Sequence, residues 1–95
     1  MLYYSYLMKK ILIYSSLICP YCIAAKKIFE NQKLKYTEIF IDNNPKAKEK
    51  MISASGGRVT VPQIFFDEDH IGGYEDLTRL IENKDLIELL EDEKN

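Results

Sequence analysis

Two cysteines, at positions 19 and 22, are the residues of this 95-residue chain best suited to covalent chemistry. They are the only cysteines in the sequence, and Pro20 and Tyr21 separate them. Two thiols at this spacing can close a small disulfide ring and open it again. Since a Cys-x-x-Cys pair near a strand–helix–strand pattern is typical of redox-active dithiols, the pair indicates thiol–disulfide exchange.

The position of the pair assigns different roles to the two thiols. Pro20 suits the first turn of a helix, which puts Cys19 at the helix N-terminus, against unpaired N–H groups and the positive end of the helix dipole. Both favour the thiolate, and cysteines in such motifs have pKa values of roughly 3.5–7.5, against about 8.5 for a free thiol. We therefore assign Cys19 as the nucleophile. Cys22, one turn later and expected to be more buried, is the resolving thiol.

Two other uses of the cysteine pair are open to the sequence. A closed zinc site needs about four ligands, and beyond the two cysteines the chain offers only His70 as a further soft ligand. A permanent structural disulfide across a two-residue spacer would constrain little of the chain. Redox activity therefore remains the favoured interpretation.

Length and composition favour one small domain. The chain is 46% hydrophobic, which suffices for a modest core, and its net charge of −2 with a pI near 5.4 gives no support for nucleic-acid binding. Residues 1–8 are expected to be an N-terminal extension, either a mis-assigned start or a flexible arm, residues 9–90 the folded domain, and residues 91–95 an acidic tail.

No membrane or export segment is predicted. The longest uncharged run, residues 11–25, contains Pro20 and is shorter than the ~20 residues of a membrane helix. The aromatic residues 2–7 have no basic residues ahead of them, as a signal peptide requires. We expect a cytoplasmic location.

The patterns of apolar and turn residues predict eight elements in one order. They are a strand at 10–14, a helix at 20–32, a strand at 36–41, a helix at 45–54, a strand at 63–66, a second short strand that follows the turn 67–69 and ends at 72–73, and helices at 75–82 and 86–91. Strand–helix–strand early in the chain implies a parallel crossover, and the later pair implies an antiparallel hairpin. The predicted fold class is α/β, a thioredoxin-like four-stranded mixed sheet flanked by helices.

Three motifs together resemble those of a dithiol glutaredoxin. They are Cys-Pro-Tyr-Cys at 19–22, Thr-Val-Pro at 60–62 followed by Gln-Ile-Phe, and Gly-Gly-Tyr-Glu-Asp at 72–76. The resemblance covers residues 9–90. It implies glutathione as co-substrate, no metal, and disulfide-containing or glutathionylated proteins as partners, with ribonucleotide reductase as one candidate. It also implies a monomer.

The resemblance implies a set of glutathione contacts in addition to the catalytic Cys19 and Cys22. Those residues are Tyr21, Thr60, Val61, Pro62, Gly73, Tyr74, Glu75 and Asp76. Pro62 would be cis, Val61 would pair with the peptide backbone of glutathione, and Asp76 would take its ammonium group. From the residues alone, Pro62 could be an ordinary trans proline, Asp76 a simple first-turn acid, and Tyr21 a plain surface residue.

One position departs from the family pattern. Many glutaredoxins carry a lysine three residues before the first active cysteine, where it contacts the glycyl carboxylate of glutathione, and this chain has Ser16 there. Arg58 is a candidate replacement, although Gly57 is an extra residue in its loop. His70, at the end of a hairpin, is predicted to be structural.

Two other classes of function share these motifs. One is a dimeric iron–sulfur carrier that uses Cys19 from each subunit, which Pro20 disfavours because cluster-holding relatives usually lack that proline. The other is a glutaredoxin-like electron donor reduced by thioredoxin reductase. The glutathione-site motifs favour a glutathione-dependent oxidoreductase over both.

Overall fold

A computed structural model describes residues 8–91, and they form a mixed four-stranded sheet. The strands are β1 (Ile11–Ser15), β2 (Tyr36–Phe40), β3 (Gln63–Phe66) and β4 (Asp69–Gly72). They lie in the order β2-β1-β3-β4, with β1 parallel to β2 and antiparallel to β3, and with β3 antiparallel to β4. The predicted crossover and hairpin are both confirmed.

Four helices accompany the sheet in the described part of the chain. They are α1 (Pro20–Asn31), α2 (Pro45–Ala54), α3 (Tyr74–Asn83) and α4 (Leu86–Leu90). Proline opens both α1 and α2, where its missing N–H has no intrahelical partner to lose. The Asn44 side chain caps α2 by accepting from the Ala47 N–H at 3.2 Å. None of these helices is long and apolar enough to cross a membrane.

The two faces of the sheet carry separate cores because successive strand residues point to opposite sides. On one face, Ile13 and Ile64 are fully buried against Phe29 of α1 and Leu77 of α3. On the other face, Tyr14 and Phe65 pack edge to face with centroids 5.9 Å apart, and Met51 of α2 joins the same apolar cluster. Helices on both faces thus fix β1 and β3, the two central strands.

The predicted elements all exist: α2 and β3 have the predicted bounds, and the others differ by about one residue at one or both ends. β1 ends at Ser15 rather than residue 14, and α3 begins at Tyr74 rather than residue 75. At the domain's ends, Met8 and Glu91 form an isolated antiparallel bridge, and the Lys9 N–H donates to the Leu90 carbonyl at 2.7 Å. The rest of the predicted extension and acidic tail, residues 1–7 and 92–95, lies outside the described residues.

Candidate active site

Cys19 occupies the N-cap of α1, as its place before Pro20 predicts. Its backbone is extended, and its sulfur lies 3.1 Å from the Cys22 amide nitrogen, whose N–H points at it. An N–H directed at the sulfur stabilises a thiolate, and the helix dipole acts in the same direction. The geometry therefore supports Cys19 as the more acidic of the two thiols in the reduced protein.

Cys22 lies one turn into α1 and is joined to Cys19 by a disulfide, with the two Cα atoms 5.2 Å apart. Cys22 is 1% exposed and Cys19 is 7% exposed. The difference is small, but its direction leaves Cys19 as the thiol that a substrate reaches first. The pair can thus exist in the oxidised form of a redox dithiol.

The segment that faces Cys19 comes from the loop between α2 and β3. The Val61–Pro62 peptide bond is cis, as the family resemblance implies. The Val61 carbonyl oxygen lies 3.8 Å from the Cys19 sulfur. Tertiary folding thus brings two motifs about 40 residues apart in sequence into contact.

A cleft of about 400 Å³ opens beside the disulfide. Every residue predicted from the family resemblance to contact glutathione lines it, together with one further residue, Arg58. The full lining is Tyr21, Arg58, Thr60, Val61, Pro62, Gly73, Tyr74, Glu75 and Asp76. Three separate stretches of sequence therefore share one site.

The N-terminus of α3 supplies the charged side of this cleft. The Asp76 carboxylate accepts the Gly73 N–H at 2.8 Å and lies 3.3 Å from both terminal nitrogens of Arg58. The Gly73 N–H, and then Arg58, hold the pKa of Asp76 below its usual range. Gly72 has a φ of +119°, and any Cβ there would collide with the Asp76 carboxylate, so this turn requires glycine.

Ser16, where the family pattern has lysine, lies against an acidic residue. Its hydroxyl donates to Asp42 at 2.8 Å, and the Leu17 N–H donates to the other Asp42 oxygen at 2.7 Å. These two bonds, the one from Leu17 first, lower the pKa of Asp42. Arg58 pairs with Asp76 on the α3 side, so the structure gives no support for it as a substitute at the Ser16 position. The sequence analysis did not identify Asp42 as a site residue, although its place two residues after the end of β2 is a signal that could have suggested it.

Two tyrosines border the cleft from opposite helices. Tyr21 of α1 and Tyr74 of α3 have ring centroids 5.8 Å apart. Tyr21 is 63% exposed. Tyr74 is partly buried, and both rings line the cleft.

A buried polar chain supports the proline loop from behind. Gln63, fully buried at the start of β3, donates from Nε2 to the Thr60 carbonyl at 3.1 Å, and its Oε1 lies 2.7 Å from His70 Nε2. Burial, and then the positive charge of Arg58, lower the pKa of His70. A polar glutamine in an otherwise apolar buried strand is the one sequence signal of this contact. Among residues 8–91, no cluster of three or more potential ligands could hold a metal ion.

Comparisons with known proteins agree with this geometry. The Glutaredoxin family model matches residues 11–71. The chain is 46% identical over 82 residues to glutaredoxin 1 of Rickettsia prowazekii, which covers 85% of this chain and 86% of that protein. The solution structure of glutaredoxin from Brucella melitensis superimposes with a TM-score of 0.77 at 35% identity, covering 94% of this chain and 96% of the other. A buckwheat glutaredoxin–glutathione complex also reaches 0.77, at 25% identity, covering 86% and 76%.

Proposed function

Because the chain belongs to the glutaredoxin family, we propose that its thiol–disulfide exchange is driven by glutathione and acts on proteins. The chain is a thiol–disulfide oxidoreductase, and residues 19 and 22 are its redox-active cysteines. We propose in addition that glutathione binds in the cleft, that the substrates are proteins, and that the chain acts in the cytoplasm. A cytoplasmic site fits a dithiol that glutathione must keep reduced.

The cleft beside the disulfide is the observation that best supports glutathione as the ligand. The cleft beside the Cys19–Cys22 disulfide combines a backbone edge at Val61 with the N-terminus of α3, the two features that a γ-glutamyl tripeptide needs. An extended peptide can pair with the Val61 edge as an added strand. A carboxylate is favoured at the α3 N-terminus, where free N–H groups and the helix dipole meet. The glutathione-bound buckwheat relative gives this assignment further support.

The reaction then has two stages. The Cys19 thiolate attacks the glutathione sulfur of a glutathionylated protein, which leaves as a protein thiolate, and Cys19 becomes a mixed disulfide with glutathione. A second glutathione thiolate attacks that mixed disulfide, releasing glutathione disulfide and restoring the Cys19 thiolate. For a protein disulfide, Cys22 resolves the mixed disulfide, and two glutathiones later reduce the Cys19–Cys22 bond.

The surface around Cys19 supports protein substrates as well as glutathionylated ones. Of the six large apolar side chains exposed among the described residues, five lie within four residues of Cys19 or Val61 in sequence. They are Leu17, Ile18, Tyr21, Ile23 and Val59. Exposed apolar side chains that cluster near a reactive group are typical of protein contact surfaces. Ribonucleotide reductase remains one candidate partner.

A pair of coupled assays tests the proposal. Reduction of a glutathionylated peptide is followed with glutathione and glutathione reductase, and in parallel with thioredoxin reductase as the only electron source. We expect turnover in the first assay and little in the second. Turnover with thioredoxin reductase alone would instead assign the chain to the reductase-dependent electron donors.

The iron–sulfur alternative has its own measurement. The protein is purified anaerobically from cells supplied with iron, and its visible absorbance is recorded. We expect a colourless protein. A stable brown chromophore that disappears in a Cys19→Ser variant would support the cluster carrier and contradict the proposed function.

A further inference from the structure

The buried polar chain behind the proline loop is a relay of two hydrogen bonds, from His70 to Gln63 and from Gln63 to the Thr60 carbonyl, and Gln63 is its middle member. A carbonyl oxygen can only accept a hydrogen bond, so the group of Gln63 that faces the Thr60 carbonyl at 3.1 Å must be its NH₂. The same NH₂ lies 3.4 Å from the Thr60 hydroxyl. The amide orientation of Gln63 is therefore fixed by chemistry, and its Oε1 faces the other way, toward β4.

His70 completes the relay from the edge strand. Its Nε2 lies 2.7 Å from Gln63 Oε1, and because that oxygen only accepts, Nε2 must carry the proton. Both the neutral Nε2–H form and the protonated imidazolium can donate this bond. The ring also packs on Phe65 with centroids 4.9 Å apart, which fixes its plane. His70 thus holds Gln63 whether or not it is charged.

The far end of the relay is a peptide group of the active site. The Thr60 carbonyl and the Val61 N–H belong to one planar peptide bond, so fixing the direction of the first fixes the direction of the second. The Val61 carbonyl, at the next peptide bond, lies 3.8 Å from the Cys19 sulfur. The relay therefore connects strand β4 to the backbone edge that faces the reacting sulfur.

We propose that His70 is a positioning residue for glutathione binding, acting through Gln63 to orient the Thr60–Val61 peptide group. The proposal rests on the proposed function, since it takes the Val61 N–H as a glutathione contact. His70 was predicted to be merely structural, and the proposal gives it a role in substrate affinity. Without its donor, Gln63 Oε1 is left buried and unpaired, and the amide is free to turn away from Thr60.

Two variants separate the donor from the ring. His70→Phe keeps an aromatic ring against Phe65 and removes the donor, whereas His70→Gln keeps a donor at similar reach and removes the ring. We expect His70→Phe to raise the KM for a glutathionylated peptide by roughly three- to tenfold, the range given by the net worth of one hydrogen bond, with kcat little changed. We expect His70→Gln to keep a KM within about twofold of the unmodified chain.

A second readout does not depend on glutathione. In the ¹H–¹⁵N spectrum of the ligand-free protein, the Val61 amide should shift in His70→Phe and stay near its original position in His70→Gln. If His70→Phe does not fold, Gln63→Leu removes the bond to the Thr60 carbonyl directly and must raise the KM at least roughly three- to tenfold. Melting temperatures of all variants show whether a KM change merely follows lost stability.

The outcomes are distinguishable. An unchanged KM and an unmoved Val61 amide in His70→Phe would overturn the relay while leaving the proposed function intact. Equal impairment of His70→Phe and His70→Gln would assign the effect to ring packing, which also contradicts it. If the unmodified chain shows no turnover with glutathione, the proposed function fails. The Val61 amide shift then still decides whether His70 orients the Thr60–Val61 peptide group.

Discussion

The two sides of the active-site cleft differ in the kind of side chain that they present. The α3 side holds a charge-balanced cluster, in which the Asp76 carboxylate is bound by the Gly73 N–H and by Arg58. On the α1 side only Tyr21 lines the cleft, and the segment before the helix, residues 16–18, presents exposed Leu17 and Ile18, with Ser16 and the Leu17 N–H bound to the Asp42 carboxylate. Among the described residues that line the cleft, the one cation, Arg58, lies on the α3 side. Charged side chains are therefore concentrated at α3, whereas the segment before α1 presents apolar side chains.

The largest expected effect comes from replacing the two cysteines. Cys19→Ser should abolish all reduction, because the remaining thiol, Cys22, is only 1% exposed and a substrate disulfide cannot reach it. Cys22→Ser should leave substantial reduction of glutathione mixed disulfides, since glutathione can resolve them, and should impair reduction of protein disulfides. The two substrates are assayed side by side for both variants. Equal loss of both activities in Cys22→Ser would mean that the nucleophile and resolving roles are wrongly assigned.

Next in size is the acidity of Cys19. In the reduced protein, the Cys22 N–H and the helix N-terminus should bring the pKa of Cys19 well below the value of about 8.5 for a free thiol, while Cys22 should titrate higher. The rate of alkylation by iodoacetamide, followed against pH, measures both. Cys22→Ser serves as the control that isolates Cys19. A midpoint near 8.5 for Cys19 would remove the physical basis for its role.

The charged side is tested by a matched pair of arginines. Arg58→Ala leaves Asp76 without its cation inside the cleft, so the carboxylates of glutathione should bind less well and the KM should rise by about two- to fivefold. Arg79→Ala removes an equal charge that also lies near Asp76, at 3.6 Å, but outside the cleft lining. The Arg58 effect should shrink as salt is added. If both variants raised the KM equally, the effect would come from the loss of one positive charge near Asp76 and not from a contact between Arg58 and glutathione.

A smaller effect is expected at Ser16. Ser16→Lys places a cation beside Asp42, which can pair with it, so the gain in glutathione affinity should not exceed about twofold, within the ~0–1 kcal/mol of an exposed ion pair. Adding Asp42→Asn should free the lysine and lower the KM further. The KM values of the single and double variants decide this. If the lysine alone lowers the KM many-fold, the α1 side binds a carboxylate after all, and the contrast between the two sides fails.

The smallest effect concerns acid stability. Asp42 and Asp76 both have lowered folded-state pKa values, so the stability that they contribute is fully present above the unfolded value of about 3.9 and is lost as the pH falls through the lowered values. Urea unfolding between pH 6 and pH 2.5 measures the loss. Asp76→Asn and Asp42→Asn should each flatten the curve slightly. A curve unchanged by either variant would show that these bonds do not favour the charged carboxylates.

Much of the fold followed from local pattern because each element has its own signal. Proline at the start of α1 and α2 marked both helix N-termini, and the turn residues 42–45 and 67–69 separated the later elements. The place of Cys19 at a helix N-cap is local for the same reason. The family motifs added the cis bond before Pro62, which the residues alone would have assigned as trans.

The contacts that set the character of the cleft are not local. The pairing of Arg58 with Asp76, of Ser16 with Asp42 and of His70 with Gln63 depends on loop paths and strand register. A one-residue change in the register of β3 and β4 would turn His70 to the other face of the sheet. Local pattern is enough to predict the elements, the redox pair and the place of Cys19 at a helix N-terminus, since helix-end chemistry acts over a few residues. Which side of the cleft carries charge depends on the tertiary fold, because side chains distant in the sequence interact only after folding.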